Sequence, residues 1–142
     1  MWSTDFETRL REWRQLRIDL QTKSLKEQLA TISTWWGKAP RVNHVVHWYD
    51  KDNWLGPWEL LAEKGYCELA SALGLAYTIM LVNKEAELTL VNATDEYGSD
   101  VIILLVNNEH ILNWDISSVI SKEQHNFKIK ETFDCEALKE KI

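Results

Sequence analysis

Six consecutive apolar residues, Val101-Ile-Ile-Leu-Leu-Val106, constrain this chain more than any other stretch. A strand with one wet face alternates apolar and polar side chains. This run does not alternate, so it predicts a central strand covered on both faces. Leu88–Val91, His110–Trp114 and Phe127–Phe133 supply further strand-forming segments, the last with Lys128, Lys130 and Thr132 on its wet face. The connection Asn107-Asn108 is short enough for a tight hairpin. The second half therefore predicts a mainly antiparallel sheet of about four to five strands.

The first half has helical spacing. Thr4-Asp-Phe-Glu7 has the form of a capping box, and Phe6, Leu10, Trp13, Leu16 or Arg17, and Leu20 follow at intervals of three and four, with Arg9, Arg11, Glu12 and Asp19 largely off that face. Ser24-Leu-Lys-Glu27 repeats the cap, and Leu25, Leu29, Ile32 and Trp36 repeat the spacing. Two amphipathic helices packed as a hairpin are expected, ending at Gly37-Lys-Ala-Pro40 with glycine in a left-handed cap. Pro57 should open a short helix that closes at Gly65, and Cys67 a second one reaching Leu73. Leu75–Val82, rich in strand formers, predicts a buried strand, and Asp134 should cap a terminal helix, Cys135–Lys141. With no linker or internal repeat, one α+β domain over 1–142 is expected: a helical hairpin over 1–38, and short central helices with the sheet over 54–142.

Charge and cysteine usage narrow the partners. The net charge of −6 is unevenly spread: residues 1–41 hold eight Lys/Arg against five Asp/Glu, and residues 42–142 hold eight against seventeen. The basic residues near the start alternate with acids, which describes a solvated helix face, and the acidic remainder disfavours nucleic acid and suits a partner with a basic surface. Two cysteines are too few for a disulfide framework, no secretory leader is visible, and the apolar run Leu73–Val82 is about half of a membrane span. A reduced, cytosolic protein without membrane contact is expected.

Three stretches could carry function. His44, His47, Asp50 and Asp52 include metal-binding residue types, but their spacing matches no strong motif, so an aromatic loop over the core is expected and no metal or cofactor. Trp48, Trp54 and Trp58 are candidate partner contacts, because aromatic residues are favoured as interface anchors. Cys67 stands at a helix start, where unpaired backbone N–H groups stabilise a thiolate. A nucleophile there also needs a base and an orienting group. The alternative is the common fate of a free cysteine, a small buried side chain.

Asp52-Asn-Trp54, Pro57-Trp-Glu59 and Gly65-Tyr-Cys-Glu-Leu-Ala70, followed by strands, resemble the transglutaminase-like cysteine hydrolases over roughly residues 52–115. The resemblance implies a transglutaminase-like α+β scaffold with Cys67 as nucleophile and Asp115 as orienter. The histidine of that pattern falls on Asp100, leaving His110 as the substitute base, five residues before Asp115. An odd separation along a strand turns those two side chains to opposite faces unless a bulge intervenes. A second resemblance covers more of the chain. Arg9-Leu-Arg-Glu-Trp13, Trp35-Trp36, Ala39-Pro40, Trp54-x-x-Pro57-Trp58-Glu59-Leu60 and Tyr66-Cys67 resemble small proteins of T4-like tailed phages. It implies a non-catalytic virion or assembly component in the host cytoplasm or the particle, contacting other phage proteins or itself. Thiol-dependent amide hydrolysis or acyl transfer is the competing expectation, with Cys67 as nucleophile, His110 or an upstream histidine as base and Asp115 as orienter.

Overall fold

The computed structural model describes residues 2–142. It has an α+β, transglutaminase-like fold in which helices cover one face of a five-stranded antiparallel sheet. The helices are α1 (Phe6–Leu20), α2 (Leu25–Trp36), α3 (Pro57–Ala62) and α4 (Glu68–Val82). The strands are β1 (Leu88–Asp95), β2 (Asp100–Val106), β3 (His110–Leu112), β4 (Val119–Ser121) and β5 (Phe127–Asp134), in the order β4-β3-β2-β1-β5.

The run that constrains the fold is β2, the middle strand. Its alternate residues serve two cores: Leu104 and Val106 join Leu88, Leu90 and Leu112 beneath the helices, while Ile103 and Leu105 join Val91, Ala93 and Ile111 on the other face. Trp114, Ile120 and Phe127 cover that second core. The β2–β3 turn is the expected tight one, with Asn107 and Asn108 both left-handed at φ 53° and 54°, a conformation that asparagine tolerates.

Leu75–Val82 is not a strand. It forms one helix with the segment from Glu68, and every residue from Leu69 to Met80 is buried. A helix enclosed on all sides has no polar stripe, so its sequence loses the helical period and resembles a buried strand. The surrounding helices explain the enclosure, since α1, α2 and α3 all pack on α4. Two caps also differ from expectation. Asp5, not Thr4, caps α1 by accepting from the Thr8 N–H, and Gly37 ends α2 in right-handed geometry at φ −63°. Gly37 is needed for room instead, because a Cβ there would collide with the Ser117 side chain. Ser24 caps α2 as its sequence predicts, and Asp134 caps a 3-10 segment, Cys135–Lys141, in place of an α-helix.

Candidate functional site

Cys67 is the N-cap of α4, and the chain before it is pinned in place. Tyr66 donates its N–H to the Pro40 carbonyl at 2.9 Å and accepts from the Val42 N–H at 3.1 Å. Gly65 permits this approach, since a Cβ there would run into the Val42 side chain. The Cys67 thiol is 6% exposed and turns toward the loop over residues 41–54, where its hydrogen-bond partner is the Val46 carbonyl at 3.8 Å. An acceptor of that kind holds the thiol proton without taking it away. Cys135 offers no second nucleophile, for burial pushes its thiol up to about 12.

Asn113 organises the ground beside Cys67. It is buried and left-handed at φ 69°, and its amide donates to the Glu68 carbonyl at 3.0 Å and the Ile102 carbonyl at 2.8 Å. Its Oδ1 faces Arg41 at 3.5 Å, a distance too long for a strong bond. One side chain thus ties the first turn of α4 to the middle of the sheet. Around it Arg41, Val42, Glu68, Asp115 and Ile116 line an open groove of ≈ 400 Å³. Although Glu68 is an exposed residue, desolvation by its surroundings raises its carboxyl above the usual range, and Asp100 adds to the rise, while an Ile102 backbone hydrogen bond and Arg41 oppose it. Sequence reasoning passed over Asn113, Arg41 and Glu68. The available signal was an asparagine at a strand end, one of the few non-glycine residues at home in the left-handed region.

The structure separates the three candidate catalytic residues. Asp115 reaches the groove, in the turn where its carbonyl accepts from the Ser118 hydroxyl. His110 does not: it is paired with Val106 and Ser121, with its ring 3.8 Å from the Glu109 carboxylate. Asn113 meets β2 at Ile102, whereas His110 pairs with Val106, four residues further along that strand. A bulge cannot rescue this arrangement, because His110 is displaced along the strand and not merely turned over. Asp100, at the strand start where the cysteine-hydrolase pattern has histidine, pairs with Lys130 at 2.7 Å.

Two other histidines stand in the loop that the Cys67 thiol faces. The His44 and His47 rings stack at 4.0 Å in the 41–54 loop, and His125 packs on Trp114 at 5.0 Å. Among the described residues, no three His, Cys, Asp or Glu side chains are grouped to hold a metal ion.

Two of the three candidate contact tryptophans are buried. Trp48, 6% exposed, donates to Glu131 at 2.7 Å, and Trp54, 2% exposed, donates to the His47 carbonyl at 2.8 Å and packs on Phe133. They clamp the 41–54 loop to β5. Trp58 is half exposed, with its ring set edge-on against Trp13 at 5.4 Å.

No protein-family model and no curated protein matches this chain. Among solved structures it is similar to Legionella pneumophila LapG at 17% identity and a TM-score of 0.73, over 94% of this chain and 77% of that one. It is also similar to calcium-bound Legionella pneumophila LapG at 16% identity and a TM-score of 0.72, over 95% of this chain and 79% of that one. At such identity the likeness is one of fold, a transglutaminase-like α+β fold. None of these similarities bears on a phage origin.

Proposed function

We propose that this protein acts by protein contact on a transglutaminase-like scaffold, without thiol catalysis at Cys67. The observation that carries the proposal is the residue set at the first turn of α4. Acidic Glu68 and Asp100 and the amide of Asn113 occupy that end of β2, and His110 is held at the other end. The Cys67 thiol has the Val46 carbonyl for its hydrogen-bond partner, and the strand start where the cysteine-hydrolase pattern has histidine holds Asp100. The groove beside it carries exposed Val42 and Ile116, and Trp58 presents a half-exposed ring, features that suit contact. A role in a virion or its assembly is the finer form of this proposal and rests on the sequence resemblance alone.

Alkylation kinetics test it. Cys67 should react with iodoacetamide at or below the rate of free cysteine near neutral pH, and Cys67→Ser should leave function in complementation unchanged while Trp58→Ala impairs it. The competing reading is a thiol-dependent amide hydrolase, favoured by the position of Cys67 at the start of α4. Alkylation far faster than free cysteine, with loss of function in Cys67→Ser, would establish that reading in place of contact.

A further inference from the structure

The loop over residues 41–54 contains a small cage that neither the contact proposal nor the Cys67 site uses. The Lys51 ammonium stands 5.3 Å from the Trp48 ring centroid, 5.8 Å from that of Trp54 and 6.0 Å from that of Tyr49. All three distances fall within reach of a cation–π interaction. Among the described residues, Lys51 forms no ion pair: the pairs present are His110 with Glu109, Lys130 with Asp100 and Lys139 with Glu136. The adjacent Asp50 carboxylate is taken by the Asn53 side-chain amide, with both contacts at 2.9 Å. The cation is therefore held by ring faces. Two of those rings are fixed, because the Trp48 indole is bonded to Glu131 and the Trp54 indole to the His47 carbonyl. The third, Tyr49, is 74% exposed and open to solvent.

We propose that Trp48, Tyr49 and Trp54 form a receptor for the ammonium of a partner protein's lysine or N-methyl-lysine side chain, which Lys51 fills in the free chain. The proposal rests on the contact reading and gives it a ligand chemistry. Two buried, hydrogen-bonded rings and one exposed ring around a cation match the way proteins bind alkylated ammonium groups. A peptide side chain is the favoured source because the occupant already seated there is a lysine on a polypeptide. The acidic balance of residues 42–142, eight Lys/Arg against seventeen Asp/Glu, draws basic partners. Lys51 acts as a built-in competitor, so the receptor is weak until that side chain is displaced.

The test follows the eight indole N–H signals by NMR while a trimethyl-lysine peptide is titrated into the full chain. Lys51→Met removes the competitor and keeps the length of the side chain. The expected result is saturable shifts confined to Trp48 and Trp54, with about five- to tenfold tighter binding by Lys51→Met than by the wild type and loss of binding in Tyr49→Ala. A norleucine peptide should produce no such shifts. Equal response to the norleucine peptide, shifts spread over all indoles, or binding to phosphatidylcholine vesicles in preference to the peptide overturns the proposal. If methionine collapses the loop, the wild type decides: displacement moves the Lys51 ε-methylene signals toward free-lysine positions, and unmoved signals overturn the proposal. Failure here with Trp58→Ala still impairing function removes the cage and leaves the contact reading standing.

Discussion

Thr78 shows how much one buried hydroxyl can carry. Fully buried in α4, it accepts the indole N–H groups of both Trp13 and Trp36 at 2.9 Å and donates to the Gly74 carbonyl at 2.7 Å. Three helices meet on that oxygen. Thr78→Val keeps the shape but strands two buried donors, so a loss of about 2–4 kcal/mol is expected in urea denaturation, and Thr78→Ser should recover most of it. Arg9 is the comparable case in α1. Its spacing places it off the apolar face, yet it is buried, donating through Nε and Nη2 to the Leu61 carbonyl at 3.0 and 2.8 Å. The last carbonyls of α3 lack helical partners, and a guanidinium supplies them. Nothing in residues 6–20 announces a carbonyl that belongs to residue 61.

At the scale of elements, α4 decides the packing. Gly74 lies in its interior, where alanine is favoured by about 1 kcal/mol on propensity alone. A Cβ at Gly74, however, would stand 2.6 Å from the buried Trp36 ring. Overpacking of a rigid ring costs about 1–3 kcal/mol, so Gly74→Ala should lower stability despite its better propensity. Trp36→Phe in the same chain should reduce that penalty, a coupling that a double-mutant cycle measures. The start of α4 gives a second test. Asn113→Ala removes the amide that joins Glu68 to Ile102, and should loosen the first turn of α4, seen as faster amide exchange over residues 68–71.

For the whole molecule, buried neutral acids set the alkaline limit. Burial pushes the Tyr66 hydroxyl up to about 12 and the Cys135 thiol up to about 12, and it also raises Tyr77. In the unfolded chain these groups ionise near their ordinary values of 10.0 and 9.0. Their contribution is therefore fully present below about pH 9 and is lost as pH rises through the folded values. Denaturation midpoints should stay flat from pH 7 to 8 and fall steeply between about pH 9 and 12, and a midpoint that holds through pH 11 would contradict this account.

Local chemistry alone determined a good part of this protein. The apolar run of β2, the paired asparagines of its turn and the Ser24 cap need only their own neighbours to act, so the sheet and α2 were legible in sequence. The helical nature of residues 75–82 was not, because enclosure by three other helices removes the periodicity by which a helix is recognised. The candidate site divides in the same way. Cys67 at a helix start is a local fact, and the sequence displays it. Whether a base stands beside that thiol depends on strand register, and only the tertiary structure decided that Asn113, Glu68 and Asp100 hold that end of β2 while His110 is bound to the other. Side chains tens of residues apart become neighbours through pairing and packing, and no spacing along the chain encodes that meeting.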